Sequence, residues 1–301
     1  MTGIELSHLR YFLALAEELH FGRAAARLHM AQPPLTRHIR LLESRLQCRL
    51  FDRTTRSTRL TPAGELFVAR ARAILAEADN AFQSMQSLGR GEAGQLTVAA
   101  APSLMLGELP RLIRAFRKRF PAVEFRLSEM ATSAILQAVR LGTADLGFVR
   151  GLDKDASIRT HWRWREPMFA ILPHGHPEAA SSSLSIAALR AEPFVFFPRQ
   201  LGPAFHDEVM AYCRRAGFSP SIVQEARQWS SVIGLVNAGI GVSVGPQSVT
   251  ALLPKAVRCV PLHNVTTNVR IVGSPTGDAN PTVANFLRLA EKRYLDPHPP
   301  A

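Results

Sequence analysis

Residues 20–46 read HFGRAAARLHMAQPPLTRHIRLLESRL, and residues 48–64 continue as CRLFDRTTRSTRLTPAG. Apolar residues at helical spacing lie on both sides of a break at residues 29–31, which is the layout of a helix-turn-helix. The small Ala25 lets a second helix cross closely, and Pro33 suits that helix's first turn, where its missing N–H costs nothing. We therefore predict a helix-turn-helix whose second helix buries Leu35, Ile39, Leu42 and Leu46.

The outer face of that second helix, and the segment behind it, carry side chains of the types that contact base edges and phosphates. Between His20 and Leu60 there are nine Arg, one Glu and one Asp, and arginine forms bidentate contacts with guanine and phosphate. The alternative is an Arg-rich solvated face on an ordinary helical bundle. The helix-turn-helix spacing with a basic hairpin behind it favours a DNA-binding domain, with candidate contacts at Arg23, Gln32, Pro33, Pro34, Thr36, Arg37, Arg40, Arg53 and Arg56.

At these residues the chain resembles the LysR-type transcriptional regulators. The matching positions, in the family's order and spacing, are A24-A25-x-x-L28, Q32-P33-P34-L35-T36-R37-x-I39, L50-F51-x-R53 and L60-T61-x-x-G64. The resemblance implies a winged helix-turn-helix with Arg53 or its neighbours at the minor groove, a homotetramer, and RNA polymerase as a partner. Ala31 departs from the family, since many members have a Ser there that caps the recognition helix. Losing such a cap typically costs ~1 kcal/mol.

The bulk composition is compatible with this interpretation. The chain has 301 residues, 47% of them hydrophobic, and a net charge of +12, which favours a polyanionic partner but does not by itself separate nucleic acid from a membrane surface. Cys48, Cys213 and Cys259 are widely spaced, which predicts free thiols in a reducing cytoplasm, without a zinc site. We expect no signal peptide and no membrane span, because acidic residues interrupt the N-terminus and no run of eighteen apolar residues occurs.

A long helix is predicted from Thr61 to Leu88, with Thr61 and Pro62 as its cap and first turn. Its apolar residues recur at steps of four and three, the spacing of a two-stranded coiled coil, so we predict a homodimer through this helix. A single chain that buries all of its apolar residues is the alternative. The seam consists of Phe67, Ala71, Ile74, Ala78, Ala81, Met85 and Leu88, and a second row that would seat the helix on its own headpiece consists of Val68, Leu75 and Phe82.

The remainder of the chain alternates apolar strand patterns with helical ones, which predicts an α/β fold with a parallel sheet. Residues 89–94, GRGEAG, are predicted to be a flexible hinge. The predicted parts are a winged helix-turn-helix domain at 1–61, a linker and dimerisation helix at 62–90, and an effector-binding domain at 91–301. The last is expected to be two-lobed like a periplasmic solute-binding protein, with lobe I at about 94–165 and 268–301 and lobe II at about 166–267.

Two such lobes would enclose a cleft at the carboxyl ends of their strands. Ser103 and Thr132 each follow a strand at a helix start, where hydroxyl and N–H groups hold anions. Arg150 ends the next strand, where it would clamp a carboxylate. We therefore predict a small carboxylate effector. Ser103 and Thr132 as plain helix caps, and Arg150 paired with Asp145 or Asp153, are the alternatives.

The order of these three residues resembles the LysR-type subgroup that senses muconate, benzoate and related products of aromatic catabolism. L104-M-L-G-E-L-P-R-L and E129-M-x-T132 are similar to that subgroup. The resemblance implies that Leu104, Pro203, Phe205, Trp229 and Ile271 also line the pocket. Trp229 stands where a smaller aliphatic residue is expected, so it should shrink the pocket or favour stacking. Aromatic side chains buried in a plain core are the alternative.

Enzyme signatures are missing: the sequence contains no G-x-S-x-G, P-loop or H-E-x-x-H pattern. His174 and His176 lack further ligands nearby and are more typical of a solvated turn than of a metal site. We expect no cofactor and no catalysis, and a regulator whose effector shifts the paired headpieces on promoter DNA. The competing class is a solute-binding or transport protein with a fortuitously basic N-terminus. Such a protein would need a secretion signal and would lack the coiled-coil seam.

Overall fold

The computed structural model describes residues 3–53, 58–151, 157–274 and 280–295. The chain divides into two compact units, Met1–Gln86 and Ser87–Ala301, and each is described by itself. In the described part of the chain, no helix is long and apolar enough to cross a membrane.

The N-terminal unit is the predicted winged helix-turn-helix. Apolar side chains from every helix and from the wing meet in one core, because each helix carries its apolar residues at steps of three and four. That core includes Leu9, Phe12, Ala24, Ala25, Leu35, Ile39, Leu42, Leu50 and Phe51. The elements are α1 (Leu6–Glu18), α2 (Phe21–Arg27), α3 (Gln32–Leu46), the antiparallel wing strands β1 (Phe51–Arg53) and β2 (Thr58–Leu60), and α4 (Pro62–Gly89).

The start of α4 is fixed by a side-chain cap and a close backbone approach. The Thr61 hydroxyl accepts a hydrogen bond from the Gly64 N–H at 3.0 Å and donates one to the Arg49 carbonyl at 2.8 Å. A Cβ at Gly64 would lie 2.2 Å from the Leu50 carbonyl oxygen, so only glycine fits there. The predicted cap at Thr61 is confirmed.

The apolar seam predicted on α4 is shorter than its spacing indicates. Phe67 packs edge-on against Phe12 at 5.0 Å between ring centroids, and Ala71 is fully buried in the headpiece core. Both belong to their own chain's core, so assigning them to a seam was wrong. Beyond them, Ile74 is 47% exposed and Met85 is 62% exposed. Phe82, predicted to seat the helix on the headpiece, is exposed as well.

The predicted flexible hinge at 89–94 is also wrong, because Arg90 and Gly91 are held in place. Gly91 has a φ of +67°, and a Cβ there would lie 2.4 Å from the Pro281 carbonyl carbon. The Asn285 amide donates hydrogen bonds to the carbonyls of Arg90 and Gly91 at 2.8 and 2.9 Å. This glycine therefore serves a tight turn rather than flexibility.

The C-terminal unit has the predicted α/β architecture. Its strands are β3 (Ala93–Ala100), β4 (Ala122–Glu129), β5 (Leu146–Arg150), β6 (Arg159–Pro173), β7 (Pro193–Phe196), β8 (Ser221–Glu225), β9 (Ser243–Pro246) and β10 (Val257–Gly273). Its α-helices are α5 (Leu109–Arg119), α6 (Thr132–Arg140), α7 (Pro203–Arg215), α8 (Trp229–Asn237) and α9 (Pro281–Leu295). Short 3₁₀ turns include Pro102–Leu106, Ile186–Leu189 and Gln247–Leu252.

The main sheet is mixed, not parallel as predicted. Its strand order is β4-β3-β5-β10-β6-β9, in which β3 is parallel to β4 and β5. The long strands β6 and β10 form an antiparallel ladder, and β10 also runs antiparallel to β5. In the sequence, only the apolar ends of β6 and β10 show a strand pattern. The rest of β6 alternates charged residues with tryptophan.

The ladder of β6 and β10 packs against separate apolar cores in the two halves of this unit. One core contains Phe116, Phe148, Val269 and Phe286, with Trp162 and Trp164 packed against it. Another contains Met168, Phe194, Phe205 and Val265. Two lobes therefore share one pair of strands, and the carboxyl ends of β3, β4 and β5 face the gap between them.

Candidate DNA-binding surface and ligand cavity

Helix α3 presents the candidate DNA-reading residues on one exposed face. Leu35, Ile39 and Leu42 are buried, and since a helix repeats every 3.6 residues the positions between them face outward. Pro34 is exposed beside this face. A shallow depression is lined by Gln32, Pro33, Thr36, Arg37 and Arg40. The predicted contacts on this helix thus form one continuous surface with amide, hydroxyl and guanidinium groups.

The N-terminus of α3 explains why an alanine at the N-cap, Ala31, does not lower the stability of this helix. Ala31 has the extended conformation of an N-cap, with φ −76° and ψ 154°. A Ser cap accepts a hydrogen bond from the N–H of the second or third helical residue. Here those residues are Pro33 and Pro34, which have no N–H. The expectation that Ala31 forfeits a stabilising cap is therefore wrong.

Ala31→Ser should change the free energy of unfolding by no more than a few tenths of a kcal/mol. The same substitution in a Pro34→Ala background should stabilise that background by ~1 kcal/mol, because the third helical residue then has an N–H that donates a hydrogen bond to the introduced serine hydroxyl. Urea unfolding of the four proteins in this cycle measures the difference. Equal gains in both backgrounds would contradict the explanation.

Two of the candidate DNA-contacting arginines are held by carboxylates of the same unit. Arg23 donates from Nε to Glu18 Oε2 at 3.2 Å and from Nη2 to the Glu18 carbonyl at 2.6 Å. Arg53 forms an ion pair with Glu43 and lies over the Phe21 ring at 5.3 Å. Arg53 therefore ties the wing to α3, and its contact with DNA stays a prediction.

Glu43, which the sequence did not single out, joins α3 to the wing. Its Oε1 accepts hydrogen bonds from the backbone N–H groups of Leu50 and Phe51 at 3.0 and 3.2 Å. Its position as the single glutamate of an Arg-rich segment was the available signal. On the wing itself, Arg59 is exposed, while Arg56 lies outside the described residues.

A cavity of about 310 Å³ lies between the two lobes of the C-terminal unit. Lobe I contributes the ends of β3, β4 and β5, and lobe II contributes the segments before α7 and α8. Its lining brings together Ser103, Thr132, Arg150, Phe205 and Trp229 from the predicted set, together with Glu129, Phe197, Arg227, Gln228 and Val232.

Ser103 and Thr132 offer hydroxyl groups to this cavity. Ser103 Oγ accepts a hydrogen bond from Arg150 Nε at 2.8 Å, so its own proton can be donated to a ligand. Thr132 is the first residue of α6 and only 8% exposed. Within the described ranges its hydroxyl has no hydrogen-bond partner, so it is not the plain helix cap that the sequence left open. The first N–H groups of α6 lie beside it, and helix N-termini favour anions.

Arg150 lines the cavity as predicted but is bound in part by its own chain, and only its Nη1 has no hydrogen-bond partner among the described residues. It is 3% exposed, and its Nη2 donates to Glu166 Oε2 at 2.6 Å and to Ser248 Oγ at 2.9 Å. Burial lowers the pKa of the Arg150 guanidinium, and the Glu166 carboxylate opposes that change. An arginine remains charged in proteins, so Glu166 rather than Asp145 supplies its counter-charge, and Asp153 lies outside the described residues.

Three residues of the predicted pocket lie elsewhere. Ile271 is fully buried in the lobe I core, paired in β10 with Phe148 of β5. Leu104 belongs to the same core, and Pro203 is the first residue of α7, outside the lining. Assigning Ile271 and Leu104 to the pocket was wrong, because both side chains complete lobe I.

Aromatic rings form the lobe II wall of the cavity. Phe197 stacks on Phe205 at 5.5 Å between centroids and 9° between planes, and it meets Trp229 edge-on at 5.9 Å. A Cβ at Gly245 would lie 3.0 Å from the Trp229 ring, so this glycine leaves room for the indole. Phe197, which directly follows β7, was missed because it reads as one more apolar strand residue.

The cysteines and His176 are the remaining candidate groups, and their surroundings are those of structural residues. The three cysteines are free thiols, and burial raises the pKa of Cys213 to about 11 and of Cys259 to about 12. Both therefore stay protonated at neutral pH. His176 accepts a hydrogen bond from the Glu178 N–H. Among the described residues no group of His, Cys, Asp and Glu is arranged to hold a metal.

Comparison with known proteins covers both units. Residues 6–65 match the family described as "Bacterial regulatory helix-turn-helix protein, lysR family", and residues 89–294 match "LysR substrate binding domain". YnfL of Escherichia coli K12, described as an uncharacterized HTH-type transcriptional regulator, is 38% identical over 287 residues, which are 94% of this chain and 97% of YnfL. AlsR of Bacillus subtilis 168, an HTH-type transcriptional regulator, is 34% identical over 95% of each chain.

Solved structures agree. CbnR, a LysR family transcriptional regulator, matches with a TM-score of 0.85 at 29% identity, over 95% of this chain and 99% of CbnR. Full-length CbnR in complex with its target DNA matches with a TM-score of 0.82 at 28% identity, over 96% and 99% of the two chains. The chain belongs to the LysR family of bacterial transcriptional regulators.

Proposed function

We propose that this regulator reads double-stranded promoter DNA with Gln32, Pro33, Thr36 and Arg37 at base edges and Arg40 at phosphates. The observation that supports these roles is the single exposed surface that the five side chains form on α3. Amide and guanidinium groups match the donor and acceptor pattern of the major groove. A bacterial promoter lies in the cytoplasm, so we place the protein there, and no catalytic step or cofactor is part of the proposal.

Arg37→Ala should cost about 1–3 kcal/mol at the preferred sequence and relax the choice of base there. Arg40→Ala, the matched control on the same helix face, should weaken all sequences alike and reduce the salt dependence of binding. Fluorescence anisotropy on a duplex selected from a random pool, and on a scrambled duplex of equal length, separates the two effects. Binding that ignores added salt would contradict the whole assignment.

We further propose that a small carboxylate is the effector and that it binds in the cavity between the lobes. Support comes from the Ser103 and Thr132 hydroxyls beside the α6 N-terminus, which together can hold a carboxylate without an additional cation. Such a ligand regulates only if its affinity differs between two arrangements of the protein on DNA.

Assembly is the third part of the proposal. The exposed apolar residues of α4 favour a homodimer, because a groove-reading headpiece needs a partner on the next half-site. A second interface between effector domains would complete a homotetramer, and RNA polymerase would contact the assembly at the promoter.

A further inference from the structure

The lobe II side of the cavity is an aromatic wall. Phe197 and Trp229 are half-buried, and each presents part of its ring to the cavity. Phe197 stacks on Phe205, and the Trp229 indole packs against Gly245. These contacts hold both rings in place. Fixed aromatic faces and edges favour another flat aromatic ring, which gains about 0.5–1.5 kcal/mol beyond its buried area.

The polar groups lie on the opposite side, in lobe I. The Ser103 and Thr132 hydroxyls and the start of α6 can donate to a carboxylate there. Arg150 also lines this side, and its buried Nη1 has no hydrogen-bond partner within the described ranges. A ligand that satisfies both sides has a flat apolar body and a carboxylate at one end. The volume of about 310 Å³ lies at the lower end of the range for ligand pockets, roughly 300–1,000 Å³, which fits a single ring.

The charges of the lining limit the ligand to one carboxylate. Glu166 neutralises Arg150, which leaves Arg227 and Glu129 as the other ionised lining residues, one of each sign. Neither of these two has an ion-pair partner in the described part of the chain. A dicarboxylate would bring two negative charges to a lining without net charge, whereas a monocarboxylate brings one, which the neutral donors, Arg150 Nη1 and the exposed Arg227 can meet.

We propose that the cavity selects a single-ring aromatic monocarboxylate, with its ring against Phe197 and Trp229 and its carboxylate at Ser103 and Thr132. This inference rests on the proposed carboxylate effector and narrows it. It assigns specificity to Phe197 and Trp229, and it disfavours an open-chain dicarboxylate such as muconate.

Isothermal titration of the full-length protein tests this with four probes: benzoate, salicylate, cyclohexanecarboxylate and cis,cis-muconate. Cyclohexanecarboxylate has the size and charge of benzoate without the aromatic ring. Benzoate or salicylate should bind about 3- to 10-fold more tightly than cyclohexanecarboxylate, and muconate should bind more weakly than either aromatic acid.

Substitutions then test whether Phe197 and Trp229 cause the preference for the aromatic acids. In Phe197→Leu and Trp229→Leu the preference for the aromatic acid over cyclohexanecarboxylate should fall towards unity, and circular dichroism verifies that both variants are folded. Phe218→Leu, an aromatic residue of lobe II outside the lining, is the matched control and should keep the preference.

Two different failures are distinguishable. Cyclohexanecarboxylate or muconate binding as tightly as the aromatic acids would overturn the aromatic inference, while the carboxylate effector would stand. If none of the four acids binds at millimolar concentration, the carboxylate effector itself is contradicted.

Discussion

Glu166→Ala is expected to lower the free energy of unfolding of the C-terminal unit by about 3–5 kcal/mol, the usual cost of leaving a buried charge without its partner. Arg150 is 3% exposed and Glu166 is 14% exposed, so water does not replace the lost carboxylate. The Ser248 N–H, which donates to Glu166 Oε1 at 2.6 Å, loses its acceptor as well. A domain stable by 5–15 kcal/mol would lose a large share of its stability.

The double variant Arg150→Met/Glu166→Leu is the control for this prediction. Removing both charges and filling the space with apolar side chains is often neutral or stabilising, so the double variant should be more stable than Glu166→Ala alone. Urea unfolding followed by tryptophan fluorescence measures both, because all three tryptophans lie in this unit. A loss below ~1 kcal/mol for Glu166→Ala would show that Arg150 finds another counter-charge or water.

The helix-turn-helix could be predicted from the sequence because its determinants are local. Pro33, Ala25 and the steps between Leu35, Ile39 and Leu42 act within one or two helical turns, and the cap at Thr61 is equally local. The α/β class of the second unit followed from the change of apolar period for the same reason.

What the sequence did not reveal depends on residues far apart in the chain. Glu166 lies 16 residues from Arg150, and only the pairing of β5 and β6 with β10 between them brings the two side chains together. The burial of Ile271 follows from the same pairing. Apolar spacing also could not show that Phe67 packs inward, since an interior seam and a dimer seam share one period.

The exposed apolar residues of α4, which include Ile74 and Met85, give the prediction with the largest effect on function. Ile74→Asp should dissociate the proposed homodimer, because a carboxylate would be buried among the facing apolar side chains at Ile74 and Met85. Ile74 is exposed within its own chain, so the headpiece should still fold, whereas the same change at Phe67 would unfold it. Light scattering should then show at most half of the original mass.

Binding to a duplex with two half-sites should weaken by roughly 10²–10⁴-fold in Ile74→Asp, because two linked headpieces gain that factor over one. Binding to a single half-site should change little, since the reading surface on α3 is untouched. Ala76→Asp introduces the same charge about 200° around the helix from Ile74, on a face that is also exposed, and should preserve both mass and affinity. An unchanged mass for Ile74→Asp would mean that the exposed apolar residues of α4 do not hold the dimer together, and the headpieces would then have to be paired through the effector-binding unit.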